Sequence, residues 1–311
     1  MERALVIGSR GSKLALWQAE HTKSRLLSLN PALSIRIEII KTTGDVKSDP
    51  LTVIGGKGVF TKELEEALLD GRIDIAVHSL KDLPTILPDQ LTIAAISERE
   101  DPRDALVLPK STSITSLSDL PQRAVVGTSS QRRMAQLKAK RPDIQVKDLR
   151  GNVDTRLRKL DEGQYDALIL AAAGLLRLGL TDRISMRIGA DEMVPAVGQG
   201  ALGFETRSDD EQTIAAVTKL DHSETHLACL AERALLRSLG GGCQLPIAAH
   251  GTMSSNLKEL SLVGLVATPD GSRLIRESIS GSADAPLQLG NELAEKLREA
   301  GADELLTTLF A

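Results

Sequence analysis

Aromatic side chains are nearly missing from this 311-residue chain, which has one Trp, one Tyr and three Phe. A binder of single-stranded nucleic acid that stacks bases on rings has no platform here, and the cores must be built from Leu, Ile, Val and Ala. Cysteine is as scarce. Two thiols, Cys229 and Cys243, exclude a disulfide framework and a four-cysteine zinc site, so each is judged by its surroundings. Excess positive charge is also lacking, and a formal net charge of -4 gives no general attraction to phosphate backbones or anionic membranes. The longest late apolar run, residues 167–176, is far short of a membrane span, and residues 4–7 lack the basic leader of an export signal. The expectations are no nucleic-acid partner, no membrane association and a cytoplasmic location.

Familiar catalytic signatures are missing as well. GGKGVFT at 55–61 invites a phosphate-loop reading, but Leu51 and Gly58 stand where the Walker spacing needs Gly and Ser or Thr. No Gly-x-Ser-x-Gly elbow is present. His222 and His226 lie one helical turn apart with Cys229 three residues on, yet no acidic base sits between the histidines, and Cys229 lies among Leu227, Leu230 and Ala231. No metal is expected, and Cys229 reads as a core residue.

What is present is an α/β pattern. Residues 74–84 read DIAVHSLKDLP, a strand-length apolar run that stops in Ser79, Lys81, Asp82 and Pro84. Ligands in open α/β sheets sit beyond the carboxyl ends of strands, which makes Lys81 and Asp82 site candidates by position. The strand at 5–8 runs through SRGSK into an amphipathic helix, placing Arg10 and Ser12 near a helix N-terminus that favours anions. The Gly-rich loop at 55–61 carries Lys57 and Phe60.

The pattern then repeats. Gly71-x-Ile-Asp is echoed by Gly163-x-Tyr-Asp, and Gly8-Ser-Arg after a strand is echoed by Gly127-Thr-Ser-Ser. Two similar α/β domains facing one another follow, with the charged segment 97–104 as the crossover and the Gly-Gln-Gly turn within 193–205 as the return. Between 123 and 159 eleven Lys or Arg residues face three acidic ones in a chain that is acidic overall. Arg132, Arg133, Arg150 and Arg156 fall at element ends and Arg177 follows the run at 167–176, so an anion-binding cleft is read there rather than a merely solvated basic face. From Asp221 the character changes to a small α+β domain, in which Asp221 and Glu224 are expected to form a capping box. Cys243 stands on a loop after three glycines, where a thiol can reach solvent; an ordinary loop cysteine and a site of covalent attachment both remain open.

The segments GSRGSKLALWQ, KTTGD, GGKGVFTKELE, VHSLKDLP, ERxDPRDA, GTSSQRRxxQL, RGNVDTRL, PAVGQGALGFE and ERALLRSLGGGCQLP follow one another over nearly the whole chain. Together they resemble the porphobilinogen deaminase family. Leu245 and Phe204 depart from its usual Val and Ile only in apolar shape. The resemblance implies two α/β domains like a type II periplasmic binding protein (1–97 with 198–218, and 102–192) and a small α+β third domain (221–311). It implies a monomeric transferase of tetrapyrrole and heme biosynthesis that condenses four porphobilinogen molecules head to tail, releasing ammonia, and then frees hydroxymethylbilane by hydrolysis. A dipyrromethane cofactor would be joined to Cys243 by a thioether. Asp82 would be the catalytic carboxylate. Ser79, Lys81, Asp82, Thr128, Ser130, Arg132, Arg133 and Arg156 would hold the cofactor; Arg10, Ser12, Gln18, Phe60, Arg150, Arg156 and Arg177 would hold substrate. The rival is a non-catalytic anion-binding or sensing protein on the same two-domain plan, which would need neither Cys243 nor a third domain.

Overall fold

The apolar runs at 5–9 and 75–79 are covered on both sides, which is why they read as continuous rather than alternating. The computed structural model describes residues 4–43, 61–110, 112, 114–241 and 245–307. It divides into two compact units, one reaching to Arg99 and including Ala201–His226, the other formed by Glu100–Gly200 and the chain from Leu227 onward.

The first unit holds β1 (Leu5–Ser9), β2 (Ile35–Ile39), β3 (Ile75–Ser79), β4 (Leu91–Ile96) and the late strand β10 (Leu202–Arg207), in the order β2-β1-β3-β10-β4. β1 is parallel to β2 and β3, whereas β10 is antiparallel to β3 and β4. Successive side chains on a strand point to opposite faces. Ile7, Ile75 and Val77 therefore pack with Ala19 and Leu26 of the helix Lys13–Leu29, while Val6 and Ala76 pack with Leu64, Ala67 and Leu68 of the helix Lys62–Leu69.

The second unit repeats the plan with β5 (Asp104–Val107), β6 (Val125–Gly127), β7 (Gln145–Lys147), β8 (Ala167–Ala171) and β9 (Met186–Ile188), in the order β7-β6-β8-β5-β9. β6 is parallel to β7 and β8, and β5 is antiparallel to β8 and β9. With β6, β7 and β8 in the places of β1, β2 and β3, the two orders coincide. The repeat extends to single hydrogen bonds. Asp74 accepts the Val6 N–H at 2.9 Å and donates its own N–H to the Val6 carbonyl at 2.8 Å; Asp166 does the same with Val125, at 2.7 and 2.9 Å. Gly71 and Gly163, with φ of 70° and 75°, follow the helices that precede β3 and β8 and turn the chain where a side chain would be strained. These are two α/β domains built on one five-stranded plan.

A third, antiparallel sheet of β11 (Ile247–Met253), β12 (Glu259–Ala267) and β13 (Leu274–Ser282) packs in the second unit against the helices Ser223–Ser238 and Pro286–Glu299. Its core is Leu235, Leu262, Leu293 and Leu297, an all-aliphatic solution to the shortage of rings. Cys229 is fully buried on the first of these helices. The expected capping box does not form, because the Asp221 carboxylate accepts the Ile96 N–H at 2.8 Å and pairs with His226 at 2.6 Å. His222 caps instead, its Nδ1 accepting the Thr225 N–H at 3.3 Å. Among the described residues no helix is long and apolar enough to cross a membrane.

Candidate functional site

Where β1 ends, the chain turns through Arg10 and Gly11 to Ser12, whose hydroxyl accepts the Ala15 N–H at 3.2 Å and caps the helix Lys13–Leu29. β3 ends beside it. There Leu80–Asp82 closes into a 3-10 turn, with the Leu83 N–H donating to the Leu80 carbonyl at 3.2 Å. Parallel neighbours open their carboxyl ends on the same edge of a sheet, so the two loops meet. Buried Gln18 fastens the corner by donating from Nε2 to Ser79 Oγ at 2.9 Å. Arg10, Ser12, Gln18, Ser79 and Asp82, far apart in sequence, thereby line one recess of about 80 Å³. Lys81 stands in the same 3-10 turn.

The equivalent edge of the second unit forms a recess of about 120 Å³ lined by Thr128, Ser130, Gln131, Met134 and Asp148. Ser130 caps the helix Gln131–Lys140 by accepting the Arg133 N–H at 3.4 Å, and Thr128 Oγ1 accepts the Ser130 N–H at 3.2 Å. Ser129 pins the turn to the end of β7, donating to the Leu149 carbonyl at 2.6 Å and accepting its N–H at 3.0 Å. Arg150 pairs with Asp148 at 2.8 Å, and Arg156 Nε donates to the Gly151 carbonyl at 2.7 Å, on either side of the start of the helix Val153–Asp161. Burial works against the Asp148 charge, but the Arg150 guanidinium helps to hold its carboxyl below the ordinary range.

Arg132 and Arg133 lie beneath that recess and point inward. Arg132 reaches Asp104 Oδ2 at 2.7 Å and the Val194 carbonyl at 2.7 Å; Arg133 reaches Asp104 Oδ1 at 2.8 Å and the Ile169 carbonyl at 3.1 Å. Gln199 completes the network, donating to Asp104 Oδ1 at 2.9 Å and to the Pro102 carbonyl at 2.7 Å. Burial opposes the Asp104 charge, and the two guanidiniums overcome it, holding its carboxyl far below the usual range. Arg177 is likewise buried, with Nη2 on the Gly200 carbonyl at 2.5 Å; burial lowers its pKa to about 10 although Glu100 opposes the shift. It stays charged at neutral pH.

Cys243 and Phe60 lie outside the described residues. Sequence reasoning missed Asp104, Asp148, His78 and Glu205. Asp104 hides in a charged, Pro-containing segment that reads as a solvated crossover, and nothing local marks it as the buried counter-charge of two arginines. The signal for His78 was one polar letter inside the apolar run IAVHS. Among the described residues no group of three or more His, Cys, Asp or Glu could hold a metal.

Two family models match the chain. "Porphobilinogen deaminase, dipyromethane cofactor binding domain" covers residues 5–215, and "Porphobilinogen deaminase, C-terminal domain" covers residues 226–299. The porphobilinogen deaminase of Chromobacterium violaceum is 52% identical over 308 residues, covering 99% of this chain and 98% of its own length. That of Nitrosomonas europaea is also 52% identical over 308 residues, with the same coverage of 99% and 98%. Among solved structures, the second substrate-binding domain of an amino acid ABC transporter from Streptococcus pneumoniae aligns with a TM-score of 0.44 and 13% identity, covering 76% of this chain and 95% of that one.

Proposed function

The chain belongs to the porphobilinogen deaminase family, and from that premise we propose how its own residues divide the work of the reaction. The activity is that of a transferase: porphobilinogen units are condensed head to tail with release of ammonia, and hydroxymethylbilane is then freed by hydrolysis. The cofactor is dipyrromethane. When bound, it supplies a primer to which substrate is added.

The donor set suits such a group. Dipyrromethane and porphobilinogen carry acetate and propionate arms, and each recess offers hydroxyls at a capped helix N-terminus with arginine close by: Ser12 with Arg10 in the first unit, Thr128 and Ser130 with Arg150 and Arg156 near the second. In this reading Ser79, Lys81, Thr128, Ser130 and Arg156 hold cofactor carboxylates, while Arg10, Ser12, Gln18, Arg150 and Arg156 orient substrate. Arg132 and Arg133, on the first turn of the helix that Ser130 caps, join the cofactor set. Arg177 assists substrate. Phe60 would pack on a pyrrole ring, and Cys243 would form the thioether. The division into 1–97 with 198–218, 102–192 and 221–311, a monomeric state, a cytoplasmic location and the lack of nucleic-acid or membrane partners complete the proposal.

Asp82 is assigned the chemistry. Loss of ammonia from porphobilinogen leaves positive charge on the substrate pyrrole, and a fixed carboxylate stabilises it while taking part in proton transfer. One observation carries this assignment: Asp82 shares its recess with Arg10, Ser12, Gln18 and Ser79. The test is Asp82→Ala, analysed by turnover and by intact mass with peptide mapping around Cys243. Activity should collapse by about 10²-fold or more while a two-pyrrole adduct remains on Cys243. Near-normal turnover would refute the role of Asp82, and an unmodified thiol in active protein would refute the attachment.

A further inference from the structure

The reading of the first recess leaves a buried ionisable cluster unused. His78, beside Ser79 on β3, is only 6% exposed yet lines the same recess as Asp82. Its Nε2 lies 3.0 Å from Glu205 Oε2, and Glu205, on the adjacent antiparallel strand β10, is fully buried. The ring makes no other hydrogen bond among the described residues. Glu205 Oε1 has no hydrogen-bond partner among them either, nor has Oε1 of Glu65 on the helix Lys62–Leu69. Burial pushes the Glu65 carboxyl above its ordinary range, and the Glu205 charge adds to that push while His78 opposes it.

Burying an imidazole and carboxylates together is costly unless they share charge and protons. A carboxylate that fixes one ring nitrogen of a histidine leaves the other for the site, which is the arrangement in which imidazole accepts and returns a proton. We propose that His78, held through Nε2 by Glu205, is a proton-transfer residue of the condensation, presenting Nδ1 to the recess.

The proposal rests on the reading of that recess as the place where ammonia leaves. Porphobilinogen enters with its amino group as an ammonium. The C–N bond breaks and its electron pair leaves on nitrogen as NH3, a C–C bond forms from the freed methylene to a pyrrole α-carbon, and that carbon sheds a proton as its ring regains aromaticity. Nδ1 takes the proton, directly or through the Asp82 carboxylate, and the imidazolium is matched by Glu205. It then returns the proton to ammonia, which departs as ammonium. One proton is taken and one returned at each addition. Among the described residues, Glu205 from β10 and Glu65 from the helix Lys62–Leu69 act on the imidazole, and Arg10 and Asp82 line the same recess.

The test uses the holoenzyme. Glu205→Gln keeps an acceptor for the Nε2 hydrogen but removes the counter-charge. The His78 ring signal, assigned in ring-carbon NMR spectra by its through-bond correlation to the His78 backbone resonances, should then titrate about one pH unit lower or more, and the acid limb of kcat/KM should move down with it. His78→Gln itself should lower kcat roughly 100-fold with KM nearly unchanged, since the groups that hold carboxylates are intact. An unmoved ring titration in Glu205→Gln overturns the proposal even where His78→Gln does not fold, and so does near-normal kcat in a folded His78→Gln. Loss of activity in Asp82→Ala beside normal activity in His78→Gln would sink the histidine alone; normal activity in both would sink the reading of the recess as well.

Discussion

Asp104→Asn is the substitution whose cost the structure fixes most closely. Asp104 is fully buried, and its two oxygens receive both guanidiniums, themselves 4% and 6% exposed, together with the Gln199 amide. Asparagine has nearly the same shape, so packing is conserved while the charge vanishes and one oxygen becomes an NH2 facing other donors. Breaking a buried ion pair by removing one partner costs about 3–5 kcal/mol, because the surviving charge stays buried. Here two cations survive, which places the expected loss at the upper end. At about 2–4 °C per kcal/mol for a unit of this size, the melting temperature should fall by roughly 10 °C or more. Thermal and urea unfolding followed by circular dichroism measure it. The pH dependence adds a signature. The folded-state pKa of Asp104 lies below its unfolded value, so its contribution is full above about pH 4 and is lost as pH falls toward the folded value. Wild-type protein should therefore lose stability more steeply than Asp104→Asn below about pH 4. A variant within about 1 kcal/mol of wild type at pH 7, with the same acid slope, would refute the network as a stabilising element.

Other outcomes follow from the same structure. In Gly127→Ala the new Cβ would meet Leu168 Cδ2 at 2.6 Å and Tyr165 Cδ1 at 2.9 Å, so urea unfolding should show a loss of about 1–3 kcal/mol, and an unchanged midpoint would contradict the close approach of β6 to its neighbour. Burial raises the Glu65 pKa above its unfolded value, so its ionisation opposes folding as pH rises; Glu65→Gln should match wild type near pH 4 and be the more stable protein at pH 8, with the reverse order counting against the buried cluster. Arg150→Ala or Arg156→Ala should remove one charged hydrogen bond to a carboxylate, worth about 1.5–3 kcal/mol or roughly 10- to 100-fold, and stall elongation at a bound intermediate visible by intact mass. An unaltered distribution of adducts would argue against that role.

The sequence by itself determined the elements and their duplication. A continuous apolar run ending in polar residues became β3, the helix start read beside Ser12 is there, and the paired Gly-x-x-Asp motifs became the matched bonds of Asp74 and Asp166. These features are local, since periodicity, capping and turn chemistry are set within a few residues. The tertiary structure decided which arginines face inward and which histidine shares the site. Arg132 follows Ser130 by two residues, but its direction depends on Asp104 from another strand, and His78 reads as an interruption of a strand until Glu205 arrives 127 positions later. Asp221 likewise carries a capping signal that a stronger demand, the Ile96 N–H, takes away. A buried charge must find its partner wherever the chain supplies one, and that search runs across the sheets rather than along the sequence.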